Sequence, residues 1–161
     1  SDFTFFAQAD PAIQTLREFC WGALSRTIAQ INGYTPEDMA RIKILSHTWF
    51  HITRNGGQFG LHNHPMASWS GVYCVDPGDS DPGDKESGAL TFINPTALAH
   101  MFNDPANVRM RRPYGSGNLV YPFQPGRLVL FPSWVFHQVQ VYRGQRERIT
   151  IAFNCWFEMT E

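Results

Sequence analysis

Two histidines one residue apart, His62 and His64, stand in the stretch Gly56-Gly57-Gln58-Phe59-Gly60-Leu61-His62-Asn63-His64-Pro65, which reads as an extended strand. Alternate side chains of a strand share a face, so these two imidazoles can point at one spot on one side of a sheet. That is a chelating arrangement, and imidazole ligates zinc, iron, copper and nickel. Read alone, the pair is as well explained by one core histidine and one surface histidine. A candidate third ligand, His137, follows the strand that ends at Pro132, after a short turn. In an antiparallel sandwich the start of a late strand can lie beside the end of an early one, which would set His137 against His62 and His64. Eleven residues on, Arg148 and Thr150 share the polar, small side of a strand whose other side is Ile149, Ile151, Phe153, Cys155 and Phe157. An arginine facing inward in a small barrel needs an anionic partner, because burying it unpaired is very costly. Its planar fork suits a carboxylate, and a threonine hydroxyl two residues away can donate to the same group. The alternative is an exposed rim position paired with Glu147.

The elements that must position these groups can be read around them. The 161 residues fit one domain, 1–161, with a helical N-terminal segment over 1–43 and a jelly-roll core over 44–161. Asp10-Pro11 is a helix start, and Ile13, Leu16, Cys20, Leu24, Ile28 and Ile31 recur at threes and fours until Asn32-Gly33. Thr35-Pro36-Glu37-Asp38 opens a short second helix to about Ile42. Strands are then expected at Ile44–Thr53, Gln58–His64, Ser68–Asp76, Ala89–Ile93, Asn118–Tyr121, Arg127–Phe131, Phe136–Arg143 and Arg148–Glu158. A helix followed by about eight strands implies a mainly β sandwich or jelly roll with the helix covering one sheet. An aromatic content of 14% suits the space between two sheets.

Two stretches interrupt the strands. The acidic run Asp76–Gly88 reads as a solvated, mobile loop, and Pro95–Gly117, with Arg109, Arg111 and Arg112, has the length of a lid or binding loop. His47, Trp49 and His51 share one strand face without acid or sulfur nearby and read as pocket or core lining; His100 receives no role. A net charge of −1 gives no electrostatic case for nucleic acid or an anionic membrane. Three cysteines in apolar settings, Cys20, Cys74 and Cys155, read as reduced thiols of a cytoplasmic protein. No apolar run has membrane-spanning length.

Together these residues resemble a known family. His62-x-His64-Pro65, Ser70-Gly71-Val72-Tyr73, Gly88-Ala89-Leu90-Thr91-Phe92 with Asn94-Pro95, Pro125 to Trp134 with His137, and Arg148 to Asn154 are similar, in this order, to the 2-oxoglutarate/iron(II)-dependent oxygenases. The resemblance runs from about Trp49 to Phe157. It implies a double-stranded β-helix of the cupin-like type, with iron(II) held by His62, His64 and His137 and 2-oxoglutarate as cosubstrate. It also implies that Arg148 with Thr150 holds the distal carboxylate, with Tyr73 as a further donor. The activity implied is a dioxygenase that hydroxylates a substrate and releases succinate and CO2. Expected partners are a small-molecule or unidentified substrate and dioxygen, with no nucleic acid and no membrane; a homodimer is left open.

One departure from the pattern bears on the metal. Most such enzymes carry His-x-Asp/Glu at the first motif, where this chain has His64. Either His64 is the third ligand or a carboxylate from elsewhere supplies it. The face and spacing of His64 favour the all-histidine site, whose three neutral imidazoles leave the metal charge at +2, which a 2-oxoglutarate dianion can offset. Cupins share the jelly roll and part of both motifs, yet the usual glutamate after the second histidine is replaced here by Ser68 and Trp69. A cupin-like three-histidine enzyme would have no use for Arg148-x-Thr150, which makes that arginine the discriminating residue. A non-catalytic ligand-binding jelly roll is the other alternative, separated by iron-dependent succinate release.

Overall fold

The computed structural model describes residues 3–95, 102, 104–111, 114, 115 and 117–160. Helix α1, Pro11–Asn32, starts where Asp10 accepts from the backbone of Ala12 and Ile13, with proline at the first turn, and stops at Gly33 in the left-handed region, φ +70°. Its stripe is buried at Cys20, Leu24 and Ile28, whereas Ile31, expected in the same stripe, is 65% exposed. Helix α2, Pro36–Ala40, carries the capping box between Thr35 and Asp38.

Eight strands follow: β1 Ile42–Thr53, β2 Phe59–His62, β3 Trp69–Asp76, β4 Leu90–Phe92, β5 Leu119–Tyr121, β6 Leu128–Pro132, β7 His137–Val139 and β8 Arg148–Met159. They form two antiparallel four-stranded sheets, in the orders β1-β8-β3-β6 and β2-β7-β4-β5, which is a jelly roll. The expected strand Phe136–Arg143 is cut to three residues. Beyond Val139 its backbone divides between two neighbours, Gln140 N donating to Ala89 O and Tyr142 N to Gly57 O.

Register decides which side chains face inward. Thr53, His51, Trp49 and His47 of β1 lie opposite Arg148, Thr150, Ala152 and Asn154 of β8. The alternate residues of β8 face α1. Ile151, Phe153 and Cys155 pack with Phe6, Cys20, Leu24 and Ile28, and Trp21 meets Phe153 edge-on at 4.9 Å. A second apolar cluster, Leu90, Phe92 and Phe131, fills the space between the sheets. Burial holds the thiols of Cys20 and Cys155 up at about 12, and all three cysteines are free. Among the described residues no helix is long and apolar enough to cross a membrane.

Candidate metal and cosubstrate site

His62 at the end of β2 pairs in register with His137 at the start of β7, and His137 pairs in turn with Phe92 of β4. His64 lies just past β2, its backbone N–H bonded to Ser133 O at 2.9 Å in the turn before β7. One donor atom from each of the three imidazoles lies within 4.8 Å of the others. Ring centroids are 4.3 Å apart for His62 and His137 and 5.0 Å for His64 with either. Carbonyls fix two of the tautomers. His62 Nδ1 donates to Gly60 O at 2.6 Å and His137 Nδ1 to Val135 O at 2.9 Å, leaving both Nε2 lone pairs free for a metal.

Electrostatics favour the neutral form of His64 and His137. Burial, then the neighbouring His137 and His62, pull the His64 imidazole down to about 4. Burial also lowers His137, against the raising effect of its bond to Val135. The rings of Phe131, at 4.7 Å, and Phe92, at 6.0 Å, wall His137 off. Neutral imidazoles converging on one point are what a divalent transition metal requires.

Arg148 sits at the other end of the inner face of β8. It is 2% exposed, its guanidinium carbon lies 4.3 Å from the centroid of Phe123, and among the described residues its side chain makes one hydrogen bond, a long one to Thr53 Oγ1 at 3.5 Å. Its Nε has no partner. Burial pulls its pKa down to about 10, so it is still a cation at neutral pH. The neighbouring arginines are all engaged: Arg143 with Asp84 at 2.6 and 2.8 Å, Arg146 with Asp76 at 2.6 Å, and Arg127 with Pro122 O and Gln124. Among the described residues no carboxylate pairs with Arg148. An unpaired buried cation beside the inward hydroxyl of Thr150 is a site built for an anion.

Tyr73 needs correcting as a member of this group. Register sets Tyr73 against Ile151 and Cys74 against Thr150, so Val72 and Cys74, not Tyr73, share the inner face with Arg148. The Tyr73 ring lies instead on the helix side, 6.1 Å from Phe19. The acidic run also departs from expectation. Asp79 accepts from the backbone of Gln145 and Arg146 and donates its own N–H to the Tyr142 hydroxyl, so the stretch is tied down over Arg148 and not merely solvated. Trp49 and His51 are half-buried on one face of β1, with Trp49 Nε1 donating to His51 Nε2 at 2.6 Å, whereas His47 on the same face is exposed and lines an open cleft. His100 and Arg112 lie outside the described residues.

Two features went unread in the sequence. The carbonyls of Gly60 and Val135, each two residues before a histidine, could have been suspected from that spacing. The buried chain Ser133–Ser70–Asn154, with both links at 2.7 Å, had no sequence signal because its members are 63 and 84 residues apart.

The jelly roll thus carries three converging histidines that could hold a metal ion and, on the inner face of β8, a buried arginine whose Nε has no partner among the described residues. A family model described as "Putative 2OG-Fe(II) oxygenase" matches residues 47–154. The chain belongs to that family of oxidoreductases, whose cofactors are iron(II) and 2-oxoglutarate. Among solved structures it is similar to an oxidoreductase of the 2OG-Fe(II) oxygenase family from Burkholderia pseudomallei, with 14% identity and a TM-score of 0.54 over 90% of this chain and 58% of that one. It is also similar to a Pseudomonas putida prolyl-4-hydroxylase, with 18% identity and a TM-score of 0.46 over 72% and 52%. A third is EvdO2 from Micromonospora carbonacea var. aurantiaca, with 13% identity and a TM-score of 0.46 over 75% and 54%. The chain thus spans little more than half the length of these proteins. No curated protein matches it.

Proposed function

We propose that the protein is an iron(II)- and 2-oxoglutarate-dependent dioxygenase that hydroxylates a substrate C–H bond, with succinate and CO2 as co-products. The observation that carries this reading is Arg148: buried, cationic, and with Nε unpartnered on the inner face of β8. His62, His64 and His137 would hold the iron, and Arg148 with Thr150 would hold the distal carboxylate of 2-oxoglutarate. The donor sets fit both groups. Three imidazoles suit iron(II), and a guanidinium fork beside a hydroxyl suits a carboxylate. When bound, the iron and the cosubstrate together supply dioxygen activation coupled to oxidative decarboxylation.

The chain's own residues bind, orient and exclude water. The carbonyls of Gly60 and Val135 hold His62 and His137 in the tautomer that presents Nε2. A divalent iron held by imidazoles without a carboxylate would keep its +2 charge, which a dianion would balance. Phe92 and Phe131 keep solvent from the His137 side, and Phe123 stacks on the guanidinium and limits its rotation. In a low-dielectric setting a charge-assisted contact of Arg148 with a carboxylate is worth far more than at a surface.

The test is iron-dependent release of succinate from 2-oxoglutarate, measured even without the primary substrate. Release that depends on iron and disappears in His137→Ala is expected. No release with iron and ascorbate present would contradict the reading and leave a jelly roll that binds ligand without this chemistry.

A further inference from the structure

The inner face of β8 continues past the histidines. Asn154 lies six residues beyond Arg148, about 20 Å along the strand at ordinary rise. There a cleft of about 640 Å³ opens beside His64, lined by His47, Asn63, Met66, Asn154 and Trp156, with Pro65 and Ala67. That volume is within the range of small-molecule sites. No Asp, Glu, Lys or Arg lines it among the described residues, so an ionic substrate would find no counter-charge in its lining.

Its polar groups are side-chain amides, each tied at one end. The buried Ser70 hydroxyl donates to Asn154 Oδ1 at 2.7 Å, and Ser133 in turn donates to Ser70 at 2.7 Å. Ser70 and Ser133 are both buried, so this anchor is inside the protein and holds the Asn154 oxygen inward. The Nδ2 donor is left for the cleft. Asn63 is tied the opposite way: its Nδ2 donates to Trp134 O at 3.4 Å, which leaves Oδ1 as an acceptor. Trp156 stands against His47, ring centroids 5.0 Å apart and nearly perpendicular, and gives the cleft an apolar wall. Met66, 90% exposed, stands at its rim.

We propose that this cleft is the primary-substrate site and that it selects an uncharged molecule bearing an amide. The substrate carbonyl accepts from Asn154 Nδ2, its N–H donates to Asn63 Oδ1, and its apolar part lies on Trp156. The proposal rests on the oxygenase reading above, since His64 is shared between cleft and metal site. A free carboxamide and a peptide backbone carry the same chemistry.

The experiment uses the full chain loaded with cobalt(II), a paramagnetic ion next to iron in affinity order, and with 2-oxoglutarate. Proton NMR then measures paramagnetic broadening of four probes: N-methylacetamide, acetate, methylammonium and a short uncharged capped peptide. Zinc-loaded protein is the diamagnetic control. Broadening of the two amide probes above that of the two ions is expected. It should fall by about threefold to tenfold in Asn154→Ala, as for one lost hydrogen bond. Asn63→Ala should give a loss of the same order and serves if the first variant does not fold. A capped peptide broadened more than N-methylacetamide assigns a polypeptide source, and the reverse assigns a small carboxamide; both uphold the amide site. Ions broadened as much as the amides, or no change in either variant, overturn it while the metal site stands. Failure to hold cobalt overturns the oxygenase reading and this proposal with it.

Discussion

Gly88 is packed directly on Arg148. A Cβ built at Gly88 would lie 3.0 Å from Arg148 Cδ and 3.2 Å from Nε, and Gly88 itself has φ +62°. The acidic stretch therefore ends in a residue that only glycine fills without pushing on the guanidinium. Gly88→Ala should weaken 2-oxoglutarate binding by about tenfold, or about 1.4 kcal/mol, while leaving metal content unchanged. Titration calorimetry of the cosubstrate, alongside elemental analysis, checks both halves.

Tyr142 secures the same loop. It is fully buried, with its hydroxyl donating to Arg146 O at 2.7 Å and accepting from Asp79 N at 3.1 Å. Tyr142→Phe leaves these backbone groups short of a partner and should destabilise the fold by about 1–3 kcal/mol. Urea denaturation read by fluorescence gives the difference. Limited proteolysis should cut between residues 77 and 88 faster in the variant.

The metal-free protein should lose stability on mild acidification, and the sign follows from His64. Its folded value is about 4, below the ordinary 6.5, so between those values the unfolded chain binds the proton more readily. Stability from this group is complete above about pH 6.5, declines as pH falls toward about 4, and changes no further below that. His137, also lowered, acts in the same direction. Denaturation midpoints at pH 7 and pH 5 measure the drop, and His64→Gln should shrink it. Saturating zinc should raise stability at pH 7 and lose this effect as the ligands protonate, so the zinc-loaded protein falls more steeply between pH 7 and pH 5 than the metal-free one.

Gly71 tests the packing beneath the helix. A Cβ there would fall 2.2 Å from the Phe153 ring, so Gly71→Ala forces the core of α1 and β8 apart. The expected cost is about 1–3 kcal/mol, with the histidine cluster untouched and zinc still bound at one per chain.

Much of this was legible in the sequence because period and spacing report directly on faces. Alternation along Arg148–Phe157 separates a helix-packing side from an inner side, and His62-x-His64 places two imidazoles together. Tyr73 was misjudged for the same reason: its face depends on the register of β3 against β8, and that register is fixed by Gly71 admitting Phe153, a contact between residues 82 apart. The acidic loop was misjudged because its anchors, Tyr142, Arg143 and Arg146, come from the far side of the chain. The Ser133–Ser70–Asn154 chain was invisible for a similar reason, since ordinary serines signal a network only once three strands are brought together.

The central claim is that Arg148 waits for the distal carboxylate of 2-oxoglutarate. Calorimetry of 2-oxoglutarate binding to zinc- or cobalt-loaded Arg148→Ala tests it most directly. Loss of a desolvated, charge-assisted contact of about 2–5 kcal/mol predicts binding weakened by roughly thirtyfold or more, with metal content unchanged. Arg148→Lys should recover only part, because an ammonium lacks the planar fork. Normal 2-oxoglutarate affinity in Arg148→Ala would contradict the assignment of this end of the barrel to the cosubstrate.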